Sequence, residues 1–262
     1  MSRSILLFIS CLALFQIAAF SPPNVENSSF VKGEYLKYRM HYGLVTAGYA
    51  TVEVKKETET VSGHKCHHIV GKGFTNTTYD WIFKIRDTYE TFIDEATLMP
   101  CKFVRDVQEG DYKSYTITQF DQNLNNAYYV DEQRKVTTYK VPPNIHDVIS
   151  CFYSSRMYDQ TKLKTGDKIP LTNFLDRKVF KLNAEFLKRE TIVVEGVKYK
   201  ALKMKLLIDE AGMVTDKSQI HFWLSDDNNK IPLRIETELT IGSIKADLVE
   251  YKNLKNAFSA KM

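Results

Sequence analysis

The hydrophobic residues of this chain recur at every second position over much of its length, and that period restricts the fold more than any motif does. Leu36, Tyr38, Met40 and Tyr42 alternate with Lys37, Arg39 and His41, and Ala50, Val52 and Val54 alternate with Thr51, Glu53 and Lys55. Further on, Leu233, Ile235, Leu239 and Ile241 share one parity, while Arg234, Glu236 and Glu238 take the other. Successive side chains of a strand point to opposite faces, so this pattern predicts half-buried antiparallel strands. Turn-forming residues stand between the runs: Ser62-Gly63, Glu109-Gly110-Asp111, Glu195-Gly196 and Asp226-Asp227-Asn228-Asn229. About a dozen strands at this spacing suit a meander that covers its apolar face by curling or packing. The expected fold class is mainly β: a single antiparallel open or spiral-like β-barrel, with one principal α-helix packed on or in it.

That helix is expected over about 145–157, after Pro142-Pro143, with Asn144 as its N-cap and Asp147 near the positive end of its dipole. Ile145, Val148, Ile149 and Phe152 form its apolar stripe, and Arg156 falls inside the same stripe. A guanidinium in an apolar core needs a carboxylate against it and its donors satisfied. Asp87 shares the parity of Phe83, Ile85 and Tyr89, so it is the first candidate for a structural ion pair with Arg156; Asp176 is the second.

The first 21 residues have the layout of a cleaved secretory signal peptide. Arg3 supplies a positive start, Ile5 to Phe20 is nearly all apolar, and Ala18, Ala19 and Ser21 are small residues suited to cleavage. The run is shorter than the roughly 20 apolar residues that a spanning helix needs. Ser10-Cys11 could serve as a lipid-attachment site, but too few apolar residues precede it. Residues 22–262 then read as one β-barrel-like domain with no stable membrane span. Lys+Arg (36) and Asp+Glu (32) are interleaved, and no basic block appears, so the chain carries no nucleic-acid footprint.

Chemistry-bearing residues are sparse. His64, Cys66 and His68 project from one face of a strand and are ligand types that zinc accepts, yet no second ligand pair follows, and a plain polar strand is the favoured reading. Of the cysteines beyond the leader, Cys66 and Cys101 are the preferred disulfide pair in an oxidising compartment, with Cys151 left over near the helix. There is no G-x-S-x-G elbow and no H-E-x-x-H helix. Asp226-Asp227 falls in a turn, and Glu236 and Glu238 lie on a solvated strand face. No cofactor and no enzyme activity are therefore expected. The 15 Tyr and 15 Phe suit the lining of an apolar pocket as well as ordinary strand packing.

Three segments together resemble domain-of-unknown-function family 3108. They are Gly33-Glu34-Tyr35-Leu36-Lys37-Tyr38 running into Tyr42-Gly43-Leu44-Val45-Thr46-Ala47-Gly48; Pro142 to Arg156 with Asp147, Ser150, Tyr153 and Arg156; and Phe222-Trp223-Leu224-Ser225-Asp226-Asp227 through Ile231-Pro232-Leu233. The resemblance implies a β-rich exported protein of the Gram-negative cell envelope, periplasmic and without assigned catalytic residues. Two functions are open to such a protein. One is a binding module for a lipid-like or other apolar small molecule; the other is an interaction protein of the envelope, with a filled core and a protein partner.

Overall fold

The computed structural model describes residues 25–81, 84–210, 213–215 and 220–262. The expected leader, Met1–Ser21, lies outside the described residues, as does Phe83. The first half of the chain forms β1 (Tyr35–Tyr42), β2 (Val45–Val61), β3 (His64–Thr75), β4 (Arg86–Asp94), β5 (Pro100–Glu109), β6 (Tyr112–Asp121), β7 (Asn126–Val130) and β8 (Val136–Lys140). The helix α1 (Val148–Ser155) follows. The second half forms β9 (Lys168–Pro170), β10 (Asn173–Leu175), β11 (Lys178–Val194), β12 (Val197–Glu210), β13 (Met213–Thr215), β14 (Ile220–Ser225), β15 (Pro232–Glu238) and β16 (Ser243–Lys252). Among the described residues sixteen strands stand where about a dozen were expected, because β9, β10 and β13 are three residues each, too short for alternation to be read.

All sixteen belong to one antiparallel sheet with the order β10-β11-β12-β14-β15-β16-β1-β2-β3-β4-β5-β6-β7-β8, while β9 adds to β11 and β13 to β12. The two halves of the chain are thus two meanders joined along the β1–β16 pair. Register shifts at Val54/Thr58 in β2 and Phe186/Lys188 in β11 bend these two long strands, as β-bulges do. The curl brings the sheet's ends together without closing the hydrogen-bond ladder. Phe174 of β10 packs with Ala127, Tyr129 and Tyr139 of β7 and β8, and the Arg177 guanidinium lies 5.9 Å from the centre of the Tyr129 ring.

The segment after β8 carries the chain from one edge of this sheet to the other, and α1 occupies the enclosed side on the way. One flank of the helix packs with Phe30, Val54, Ile69 and Ile93 around Tyr153; the other reaches Met204, Leu224 and Ala184 through Phe152. The helix starts later than expected. Asn144 adopts a positive φ of 57°, and Asp147 caps instead, accepting from the Ile149 and Ser150 amides while the Ser150 hydroxyl accepts from the Asp147 amide. A reciprocal capping box satisfies two otherwise unpaired donors, which a lone Asn144 cap does not.

Leu36, Tyr38, Leu224 and Leu233 are buried as their parity requires, but Ile235 is 40% exposed and Leu239 43%. Arg234, expected in water, is largely shielded because Asp247 of β16 receives both its Nε and Nη2 donors, at 2.6 and 2.7 Å.

Candidate functional site

The helix is held by the charge that its sequence made anomalous. Arg156, directly after α1, is fully buried, and its carboxylate partner is Glu34 rather than Asp87 or Asp176. Arg156 Nη1 donates to Glu34 Oε1 at 2.6 Å and Nη2 to Glu34 Oε2 at 2.9 Å. Nε donates to the Asn229 carbonyl and Nη2 to the Ser29 carbonyl, both at 2.8 Å. Tyr153 Oη donates to Glu34 Oε1 at 3.2 Å. Burial opposes the Arg156 charge, and the Glu34 carboxylate more than restores it, so its pKa rises.

The other candidates are engaged elsewhere. Asp87 is buried and accepts from the Gln108 amide at 3.0 Å, while Asp176 lies 3.5 Å from Arg105. Sequence parity could not find Glu34 because it precedes the alternating run of β1 and reads as part of the Gly33 turn.

Anchored this way, α1 leaves an open groove between its Val148–Phe152 face and the second half of the sheet. The lining comes in cross-strand rows: Ala184 opposite Leu206, and Met204 opposite Phe222, itself opposite Ile235. Leu182, Ile169, Leu171 and Leu224 complete an apolar cavity of about 270 Å³. Ile235 therefore keeps the predicted face; its exposure is to this groove. The even-numbered apolar residues Leu182, Ala184 and Phe186, and Leu202, Met204 and Leu206, carry the same period-two signal and could have located the groove's floor.

A second hollow of about 570 Å³ adjoins the groove, and Cys151 and Ser155 line both. Its wall is more polar, with Asn144, His146, Ser154 and Thr172. Burial pulls the His146 imidazole down to about 4 and pushes the Cys151 thiol up to about 12, with the Asp147 charge adding to the latter. A thiol so protonated is a poor nucleophile. Burial likewise holds the Asp147 carboxyl above its ordinary range, against the hydrogen bonds from Thr91, Ser150 and Ile149.

The remaining predicted residues are separated by specific partners. His64 pairs with Asp94 and His68 with Glu90, each at 2.6 Å, and the His68 ring stacks on Phe92 at 4.4 Å. These contacts divide the His64, Cys66, His68 set that a zinc site on that strand alone would need. Cys66, Cys101 and Cys151 are all free thiols. Cys66 and Cys101 are neighbours across β4, with a hydrogen bond between their thiols, and no disulfide joins them in this structure.

Asp226 pairs with Arg189 and Glu236 with Lys245, while Asp227 caps its own turn through Ser225 and Asn229. Every one of these carboxylates has a structural partner.

Among curated proteins none matches this chain. Among solved structures it is similar to a "Beta-barrel-like Protein of Domain of Unknown Function DUF1849" from Brucella abortus, at 12% identity and a TM-score of 0.58, over 86% of this chain and 99% of that one. At this identity the likeness is one of fold. It also matches a "putative lipoprotein" from Parabacteroides distasonis, at 11% identity and a TM-score of 0.35, over 87% of this chain and 100% of that one. A third match is a "putative exported protein with YmcC-like fold" from Bacteroides fragilis, at 13% identity and a TM-score of 0.32, over 89% and 99%.

The model of the family described as "Protein of unknown function (DUF3108)" covers residues 37–249, and the helix, Arg156 and groove described above fall within that span. On that match the chain belongs to the DUF3108 family.

Proposed function

We propose that this protein is a non-catalytic binding module for an apolar or amphiphilic molecule of the cell envelope, exported to the periplasm by removal of residues 1–21. The observation that carries the reading is the groove floored by β11, β12, β14 and β15 and walled by α1, whose lining is almost wholly apolar. Its volume lies just under the roughly 300–1,000 Å³ of sites that take drug-sized ligands, which favours a slender acyl chain over a bulky ring system. The adjoining hollow with Asn144, His146 and Thr172 offers polar groups to a head group, so an amphiphile fits better than a hydrocarbon. Structural partners for the paired carboxylates support the absence of an acid–base couple.

Dodecanoate displacing a naphthalene-sulfonate dye from the purified protein tests the binding. Displacement is expected at micromolar dodecanoate. Leu182→Glu, which puts a carboxylate into the groove, is expected to weaken it at least tenfold while the circular dichroism spectrum stays unchanged. Dye that never binds, or binds the variant equally well, would favour a filled-core interaction protein. Export is tested separately by N-terminal sequencing of envelope-fraction protein, expected to start between about Ala19 and Asn24; an intact Met1 would overturn it.

A further inference from the structure

On the outer face of the sheet, away from the groove, His64 and Asp94 meet Cys101 although each comes from a different strand. His64 Nδ1, an Asp94 carboxylate oxygen and Cys101 Sγ all lie within 4.8 Å of one another. The pairing explains how they meet. Cys66 of β3 stands opposite Asp94 at the end of β4, and a register shift between Phe92 and Ile93 places Cys101 of β5 beside them. Asp94 is already oriented for a further bond: its Oδ1 accepts from the Ala96 and Thr97 amides at 2.8 Å, which leaves Oδ2 directed at His64 at 2.6 Å. A second thiol, Cys66, packs beside Cys101. A hollow of about 330 Å³ lined by His64, Asp94, Cys101, Gln119 and Asp121 opens the cluster to solvent.

We propose that His64, Asp94 and Cys101 bind a borderline-soft divalent cation such as zinc, with Cys66 as the fourth ligand. Imidazole, carboxylate and thiolate are the donor types that zinc takes, at about 2.0–2.3 Å each. Two ligands on a tetrahedral ion sit up to about 4 Å apart, so the cluster needs only a small contraction to close. The two thiols are free and in contact with one another, so one ion can take both. On binding, each thiol releases its proton to solvent, and the proton shared between His64 and Asp94 gives way to the metal. Fixation of Asp94 by backbone amides supplies the outer-shell support that metal sites use.

Cobalt(II) titration of the reduced full chain, read by absorption, tests this. One equivalent is expected, with a thiolate-to-cobalt charge-transfer band that zinc then displaces. Cys101→Ser should abolish the band, and His64→Ala and Cys66→Ser should each weaken binding at least tenfold. Cys151→Ser should leave binding unchanged. The circular dichroism spectrum of each variant without metal distinguishes lost ligands from lost fold, and zinc-dependent thermal stabilisation of the wild-type chain gives a second readout that needs no variant. Absence of a charge-transfer band and of zinc stabilisation in the wild type, or a band that survives Cys101→Ser, would overturn the proposal.

Discussion

Arg156 concentrates more buried hydrogen bonding than any other side chain described here, because a charge taken out of water must have its donors satisfied. Arg156→Ala leaves Glu34 buried and unpaired, with an expected loss of about 3–5 kcal/mol in urea unfolding. Replacing both partners, as Arg156→Met with Glu34→Leu, should recover most of that loss, since an apolar pair needs no desolvation. If the double variant is no more stable than the single one, the cost belongs to lost packing. His146 sets a pH dependence. Its folded pKa of about 4 lies below the ordinary value of roughly 6.5, so the unfolded chain binds more protons between the two. Stability therefore falls as the pH drops through that window, by about 2–3 kcal/mol. His67 and His221, also lowered by burial, act in the same direction, whereas the raised Asp147 opposes them. His146→Gln should flatten the fall in Tm between pH 6.5 and 4.5; an unaltered slope would assign it to other groups.

At the scale of the element, α1 is only eight residues long, too short to persist by itself. Its two ends are therefore tied to the sheet, by Asp147 at the start and Arg156 just past the finish. Thr91 of β4 donates to Asp147 Oδ2 at 2.6 Å, so the cap also fixes the helix against the strand beneath it. Asp147→Ala removes the cap and leaves Thr91 without its acceptor. We expect a loss of about 2 kcal/mol, with Asp147→Asn costing less because an amide oxygen can still accept. A comparison of thermal midpoints for the two variants checks this; equal losses would mean that the carboxylate charge, not the cap geometry, matters.

Over the whole molecule, the β1–β16 pair makes the two meanders a single sheet, and the segment after β16 packs back across β12 and β16. Lys200 donates its amide to the Ala260 carbonyl and Met262 to the Lys198 carbonyl, while Phe258 packs edge-on to Tyr251 at 4.7 Å and against Tyr199. Truncating such a partly buried aromatic, Phe258→Ala, should lower stability by about 2–3 kcal/mol, less than a fully buried core ring would cost. The Tm should drop while dye binding in the groove, which Phe258 does not line, persists; loss of both would mean that the terminal segment and the groove unfold together.

The strands, the curled antiparallel class and a helix near 145–157 were legible in the chain, because alternation and turn residues act between near neighbours. So was the need of Arg156 for a carboxylate, since a buried charge states its own requirement. The partner was not legible: Glu34 lies 122 residues away, and no local pattern records which segment crosses a helix end. The meeting of His64, Asp94 and Cys101 depends on a one-residue shift between β4 and β5. The groove depends on how far a sixteen-stranded sheet curls around a short helix. Parity assigns each side chain to a face, but the volume enclosed by that face is a sum over strands distant in sequence, and only the tertiary structure sets it.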